Sequence, residues 1–235
     1  MKISPLSTAA ISCVLLVGLP TPVDASTCVK NAPADAMCIT QANFDVGTFI
    51  IDQPGTYKLC EDIVFKPVPY GFVTGSPIDQ FVPNFDDGTY DENAFGLGFF
   101  SAIAIATSGV DLYLDCHTLQ QSAEHALLQR FYANIELASS PFLPATGPHN
   151  FGDSFVPATD VSIIGPGTLG RSSHHGIHGN ENRNVTVREV TFVDFEVGAV
   201  SLNNIDDLII EDCMITKNRH DVPVVGAWSG ALFIR

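Results

Sequence analysis

The chain has 235 residues, 46% of them hydrophobic and 16% charged, which suits one or at most two domains with a sizeable core. Its formal net charge of −15 argues against a nucleic-acid partner, which would need a basic surface. Small and neutral substrates stay open.

Residues 1–25 read "MKISPLSTAAISCVLLVGLPTPVDA". Lys2, the apolar run from Ala9 to Leu19 and the small residues before Ser26 form a signal-peptide pattern with cleavage after Ala25. The alternative is an uncleaved anchor. No other segment approaches the ~20 apolar residues of a membrane span. The expectation is a secreted protein with no membrane span after signal cleavage, in a compartment that permits disulfides. Residues 26–46 form an N-terminal cap segment, where Cys28 and Cys38 are placed to staple each other. With Cys60, Cys116 and Cys213 the processed chain keeps an odd set, so at least one cysteine is free or pairs elsewhere. No cysteine spacing resembles a zinc site.

Residues 47–235 carry strand patterns. "GTFIIDQPGTYKLCEDIVF" (47–65) alternates apolar and polar residues around the Pro54-Gly55 turn. An insertion at 66–98 follows, rich in Pro, Gly, Asp and Phe. Its "NFDDGTYDEN" (84–93) lacks EF-hand spacing and reads as a solvated acidic loop, with calcium as the candidate ligand if its oxygens cluster. "SAIAIATSGVDLYLDCHTLQ" (101–120) gives two more alternating runs, with Asp115 and His117 as scaffold residues at a bend. A second insertion, 121–159, opens with "SAEHALLQRFYANIELA". There Leu127, Leu128, Phe131, Ile135 and Leu137 give a rough apolar helical face. Long insertions on a rigid scaffold either carry binding sites or pack as covers. "TDVSIIGPGTLG" (159–170) returns to strand–turn–strand form, with Gly165 and Gly167 at its bend.

A shift of 23 residues then superimposes Val185 on Leu208, Val187 on Ile210, Val190 on Cys213, Phe192 on Ile215 and Ile177 on Val200. Alternation within each run and a constant shift between runs mean strands stacked in one register. The same shift sets Arg188 against Glu211, Asp194 against Lys217 and Glu196 against Arg219, three complementary pairs at the ~4.8 Å spacing of stacked strands. It also sets Asn180 against Asn203, where side-chain amides can form a ladder. Helical crossovers do not fit a period this short. The pattern predicts an all-β parallel β-helix of about five coils. Right-handed connections are the rule for parallel strands. Because "SGALFIR" (229–235) begins a strand and stops, the chain is expected to be a C-terminally truncated fragment of a longer protein.

The stretches "QPGTYKLCEDIVF", "VDLYLDCHTLQ" and "GPGTLG" followed by "GIHGNENRNVTVREVTF" resemble the secreted right-handed parallel β-helix, pectate-lyase-like superfamily, over about residues 44–235. The resemblance implies engagement of a polysaccharide or glycan, with lyase, epimerase and hydrolase chemistry as candidates. Fold alone does not fix function, and a non-catalytic structural or adhesion β-helix is the alternative.

The candidate catalytic residues are His175, His178, Lys217 and Arg219. "RSSHHGIHG" holds His174, His175 and His178, and alternation turns His178 away from Ile177 and outward. Histidine moves protons near neutral pH. Lys217 and Arg219, near His220, would stabilise negative charge on an acidic sugar. Their structural reading is ion pairing with Asp194 and Glu196. "GIHG" and "NIDD" look like polygalacturonase motifs but stand in the wrong order, and a glycosidase needs two carboxylates ~5–9.5 Å apart. "YGF" (70–72) occurs in alginate-modifying β-helix enzymes but here lacks the acidic and histidine continuation. Asn184-Val185-Thr186 is a sequon, relevant only in a eukaryotic secretory pathway.

Overall fold

A computed structural model of the protein describes residues 9–15, 28–44, 48–65, 99–122, 131–139, 156–216 and 230–234. It is an all-β, solenoid-like stack of parallel strands. In chain order these are β1 (Ala9–Leu15), β2 (Met37–Ile39), β3 (Phe49–Ile51), β4 (Gly55–Leu59), β5 (Ile63–Phe65), β6 (Phe99–Ile105), β7 (Val110–Tyr113) and β8 (Thr118–Gln121). There follow β9 (Phe131–Glu136), β10 (Thr159–Leu169), β11 (His175–Asn180), β12 (Arg183–Val193), β13 (Gly198–Asn203), β14 (Asp206–Thr216) and β15 (Gly230–Ile234). One sheet runs β1-β14-β12-β10-β7-β4-β2, with β5 and β8 joined at β10. The other runs β15-β13-β11-β9-β6-β3. Among the described residues no helix is long and apolar enough to cross a membrane.

The 23-residue register holds. Val185 pairs with Leu208, Val187 with Ile210, Phe192 with Ile215 and Ile177 with Val200. Alternation explains which side chains fill the core. β12 buries Val185, Val187, Val190 and Phe192, and β14 buries Leu208, Ile210, Cys213 and Ile215. The alternation breaks once in each strand, at Arg188-Glu189 and at Glu211-Asp212, where two consecutive residues face away from the core. Glu189 and Asp212 take positive φ there, 57° and 53°. This left-handed step turns the strand round the edge of the stack. Other corners repeat the device, with Glu181 over Asn204 and Asn184 over Asp207. Asn and Asp tolerate this conformation best among residues with a side chain. Gly165 lies at the register shift in β10, where an added Cβ would stand 1.8 Å from the Glu189 carbonyl oxygen. Only a residue without that atom lets the neighbouring strand pass.

Two expectations are corrected. Phe131–Glu136 is strand β9, not helix. The second sheet has a slot between β6 and β11, and Ile135 fills it between Ile103 and Ile177. Tertiary packing overrides the local helical spacing. Cys28 pairs with Cys116 and Cys38 with Cys60, rather than with each other. Cys38 lies on β2, which pairs with β4, and Cys60 follows β4 directly. Cys116 sits in a left-handed bend (φ 73°) beside Asp115, whose carboxylate accepts the backbone N–H groups of Asn31 and Ala32. The cap segment is therefore tied to two coils. Cys213 is buried, its thiol 3.6 Å from the Val187 carbonyl oxygen.

Residues 9–15, inside the segment read as a signal peptide, form β1 and pair in parallel with β14. The acidic run 84–93 and Lys217, Arg219 and His220 lie outside the described residues. Two of the three expected charge pairs therefore do too. The third forms, with Arg188 Nη1 3.6 Å from Glu211 Oε1.

Candidate functional site

The second sheet carries an aliphatic row on its core side: Ile103, Ile135, Ile177 and Val200, register partners from β6 to β13. The residues one step along each strand form an outward row. Ala104 is followed by Glu136, His178, Ser201 and Phe233 on β15. His178 thus faces away from Ile177, as alternation requires.

Near this row the strands bend in the sense opposite to the first sheet. Here two consecutive residues point inward. Ala102 and Ile103 are both in the core, as are Ala199 and Val200. At Gly176 an added Cβ would point into the core, 2.8 Å from the Phe192 ring and 2.5 Å from the Ala199 carbonyl oxygen. The bend returns His175 to the outward side and leans it toward His178. Their rings stack at 5.1 Å between centroids, with 17° between planes. His174 packs edge-on against His175, centroids 4.1 Å apart. Flat alternation had kept His175 and His178 on opposite faces. The inward pair at 176–177 brings them together.

His178 Nδ1 is 2.7 Å from Glu136 Oε2. With the carboxylate ionised, the ring N–H at Nδ1 donates and Nε2 is left as the basic nitrogen. Glu136 is buried, 2% exposed, and burial raises its carboxyl above the usual range, opposed by His178. Its other oxygen, Oε1, is buried without a hydrogen-bond partner. His174 Nδ1 and His175 Nδ1 are 2.9 Å apart, so one nitrogen donates and the other accepts. Two protonated rings would set donor against donor. Accordingly burial, then the charge of His178, holds His174 at about 4. Burial and then the neighbouring histidines hold His175 well below its ordinary value. At neutral pH the site therefore contains two neutral imidazoles beside a carboxylate–imidazole pair. This arrangement can relay protons.

Of the residues selected from sequence, His175 and His178 are brought together with His174. Lys217 and Arg219 lie outside the described residues. Asp115 and His117 are scaffold, as read: His117 sits between Lys30 and Asp62 at the coil bend. The sequence reading missed Glu136. Glu136 stood in a segment read as helix, and an insertion breaks the constant shift between it and His178. The available signal was Ile135-Glu136-Leu137, one polar residue between two apolar ones. Among the described residues no group of three or more His, Cys, Asp or Glu is placed to hold a metal ion. No family model, curated protein or solved structure matches the chain.

Proposed function

We propose that this is a secreted right-handed parallel β-helix protein, of the pectate-lyase-like kind, that engages carbohydrate and performs proton-transfer chemistry at the Glu136–His178 pair. The observation that carries the reading is the 2.7 Å contact between a buried carboxylate and an outward imidazole. Burying a carboxylate is costly unless it is paired, and such perturbed pairs concentrate at functional sites. In this reading Glu136 fixes the ring, and His178 Nε2 removes or returns a proton on a sugar. His175 and His174 stand beside it as neutral partners. Lys217 and Arg219 are the proposed cations for an acidic sugar; lyase and epimerase outcomes begin with such a base, whereas a hydrolase outcome would need a second carboxylate.

The test is a panel of neutral and uronate polysaccharides, with and without calcium, read for unsaturated products, new reducing ends and changed epimer ratios. Wild-type turnover of one polymer that falls by at least ~100-fold in His178→Ala supports the reading, because general acid–base groups contribute about that much. Turnover untouched by His178→Ala sinks it.

One observation favours a second reading, a non-catalytic structural or adhesion protein. The Arg188–Glu211 ion pair uses outward charges to hold register. Glycan binding without any chemical change to the glycan would select that reading.

A further inference from the structure

We propose that Ser201 is a further catalytic residue, a nucleophile completing a Glu136–His178–Ser201 row that attacks ester groups. The inference deepens the proposed site and rests on it for the carbohydrate, as an ester-decorated sugar, though not for the chemistry. Glu136 is the register partner of His178 on one side, and Ser201 is its partner on the other. The three therefore stand on one face of three consecutive strands, each about 4.8 Å from the next. Glu136 draws Nδ1 of the ring toward β9. Nε2 is then the ring nitrogen that would serve Ser201, the register partner on the other flanking strand. An acidic residue, a histidine held through Nδ1 and a hydroxyl beyond it make up a base-activated nucleophile, recognised by roles rather than by sequence order. Ser201 is 8% exposed, and Phe233 on β15 follows it in the row. No hydrogen bond joins the Ser201 hydroxyl to the ring in this resting arrangement. Such contacts are often long before substrate binds.

The chemistry balances with water as the only co-reactant. Ser201 Oγ bonds to the ester carbonyl carbon while its proton passes to His178 Nε2. The bond from that carbon to the alkoxy oxygen breaks, and the departing alcohol takes the proton from Nε2. Water then attacks the acyl-serine, its proton passing through Nε2 back to Ser201 as the carboxylic acid leaves.

The experiment treats the full chain with a fluorophosphonate probe and maps the modified peptide by mass spectrometry. The expected result is phosphonylation at Ser201, abolished in Ser201→Ala and slowed at least ~100-fold in His178→Ala. Glu136→Gln should slow it too. Melting curves show that each variant is folded. Should His178→Ala fail to fold, Glu136→Gln decides. A folded wild-type chain left unlabelled at Ser201, or labelled at a rate indifferent to these variants, overturns the proposal and leaves Ser201 a small packing residue. Glycan binding is measured in parallel. Labelling without glycan binding removes the carbohydrate reading alone, and glycan binding without labelling removes the nucleophile alone.

Discussion

The two sheets bend in opposite senses, and the histidine cluster forms at only one of the bends. In the first sheet Arg188-Glu189 and Glu211-Asp212 both point out, so the strand wraps round a convex edge. Side chains there splay into solvent, where opposite charges pair weakly across coils. In the second sheet the doubled residues point in, and the outward side chains on either side of the bend converge. His175 and His178 meet across it, and Glu136 closes on His178 from the next coil. One repeat unit thus yields a register lock on one face and a crowded, desolvated polar cluster on another.

Core substitutions beneath each sheet should have the largest effects and separate the faces. Ile177 and Ile210 are both fully buried, and replacing either with alanine should cost about 2–5 kcal/mol in urea unfolding. Ile177→Ala should also alter the environment of His178 in NMR spectra, and Ile210→Ala should not. Equal spectral effects would mean that the bends are not independent. Gly176→Ala comes next. Its Cβ would meet the Ala199 carbonyl oxygen at 2.5 Å, so overpacking should cost about 1–3 kcal/mol and separate the stacked histidines. A variant of unchanged stability would refute the inward bend.

A pH effect follows from the same cluster. His174 titrates at about 4 in the folded chain against an ordinary 6.5, so between these values unfolding takes up protons. The stability that the neutral ring retains is whole above pH 6.5 and falls as the pH drops toward 4, by up to about 1.4 kcal/mol per pH unit for one group. His175, also lowered, adds in the same direction. Glu136, raised by burial, acts in the opposite direction and softens the slope. His174→Gln should flatten the curve of melting temperature against pH from 7 to 4.5. An unchanged curve would place the acid sensitivity elsewhere. The smallest effect belongs to the convex face. Glu211→Arg should cost up to about 1 kcal/mol, and adding Arg188→Glu should recover most of it. No recovery would show that the pair does not hold register.

The sequence made the repeat legible because constant shift and alternation are physical consequences of stacking. Val185 over Leu208 and Asn180 over Asn203 could be read from spacing alone, and the Asn203 amide does donate to Asn180 Oδ1 at 2.9 Å. Half of the site was legible as well, since a run with three histidines stands out in an acidic chain. The partner of His178 was not. Glu136 lies 42 residues earlier, across an insertion that destroys the shift, in a stretch whose apolar spacing also fits a helix. The meeting of His175 with His178 was not legible either, because nothing local to His-Gly-Ile announces that two successive residues turn inward. That signal lies in other coils, where the inward pair recurs as Ala102-Ile103 and Ala199-Val200, while the adjacent β9 buries Asn134 beside Ile135. The disulfides followed the same rule: each joins the cap segment to a coil that only the fold brings near.

The account rests on Glu136 presenting His178 with its basic nitrogen outward. The most direct measurement is a long-range ¹H–¹⁵N spectrum of the histidine side chains at a pH where the His178 ring is neutral. The predicted result is the tautomer with its proton on Nδ1 and an unprotonated Nε2, shifting toward the Nε2-protonated form when Glu136→Leu removes the carboxylate. A wild-type His178 already protonated on Nε2 would contradict it.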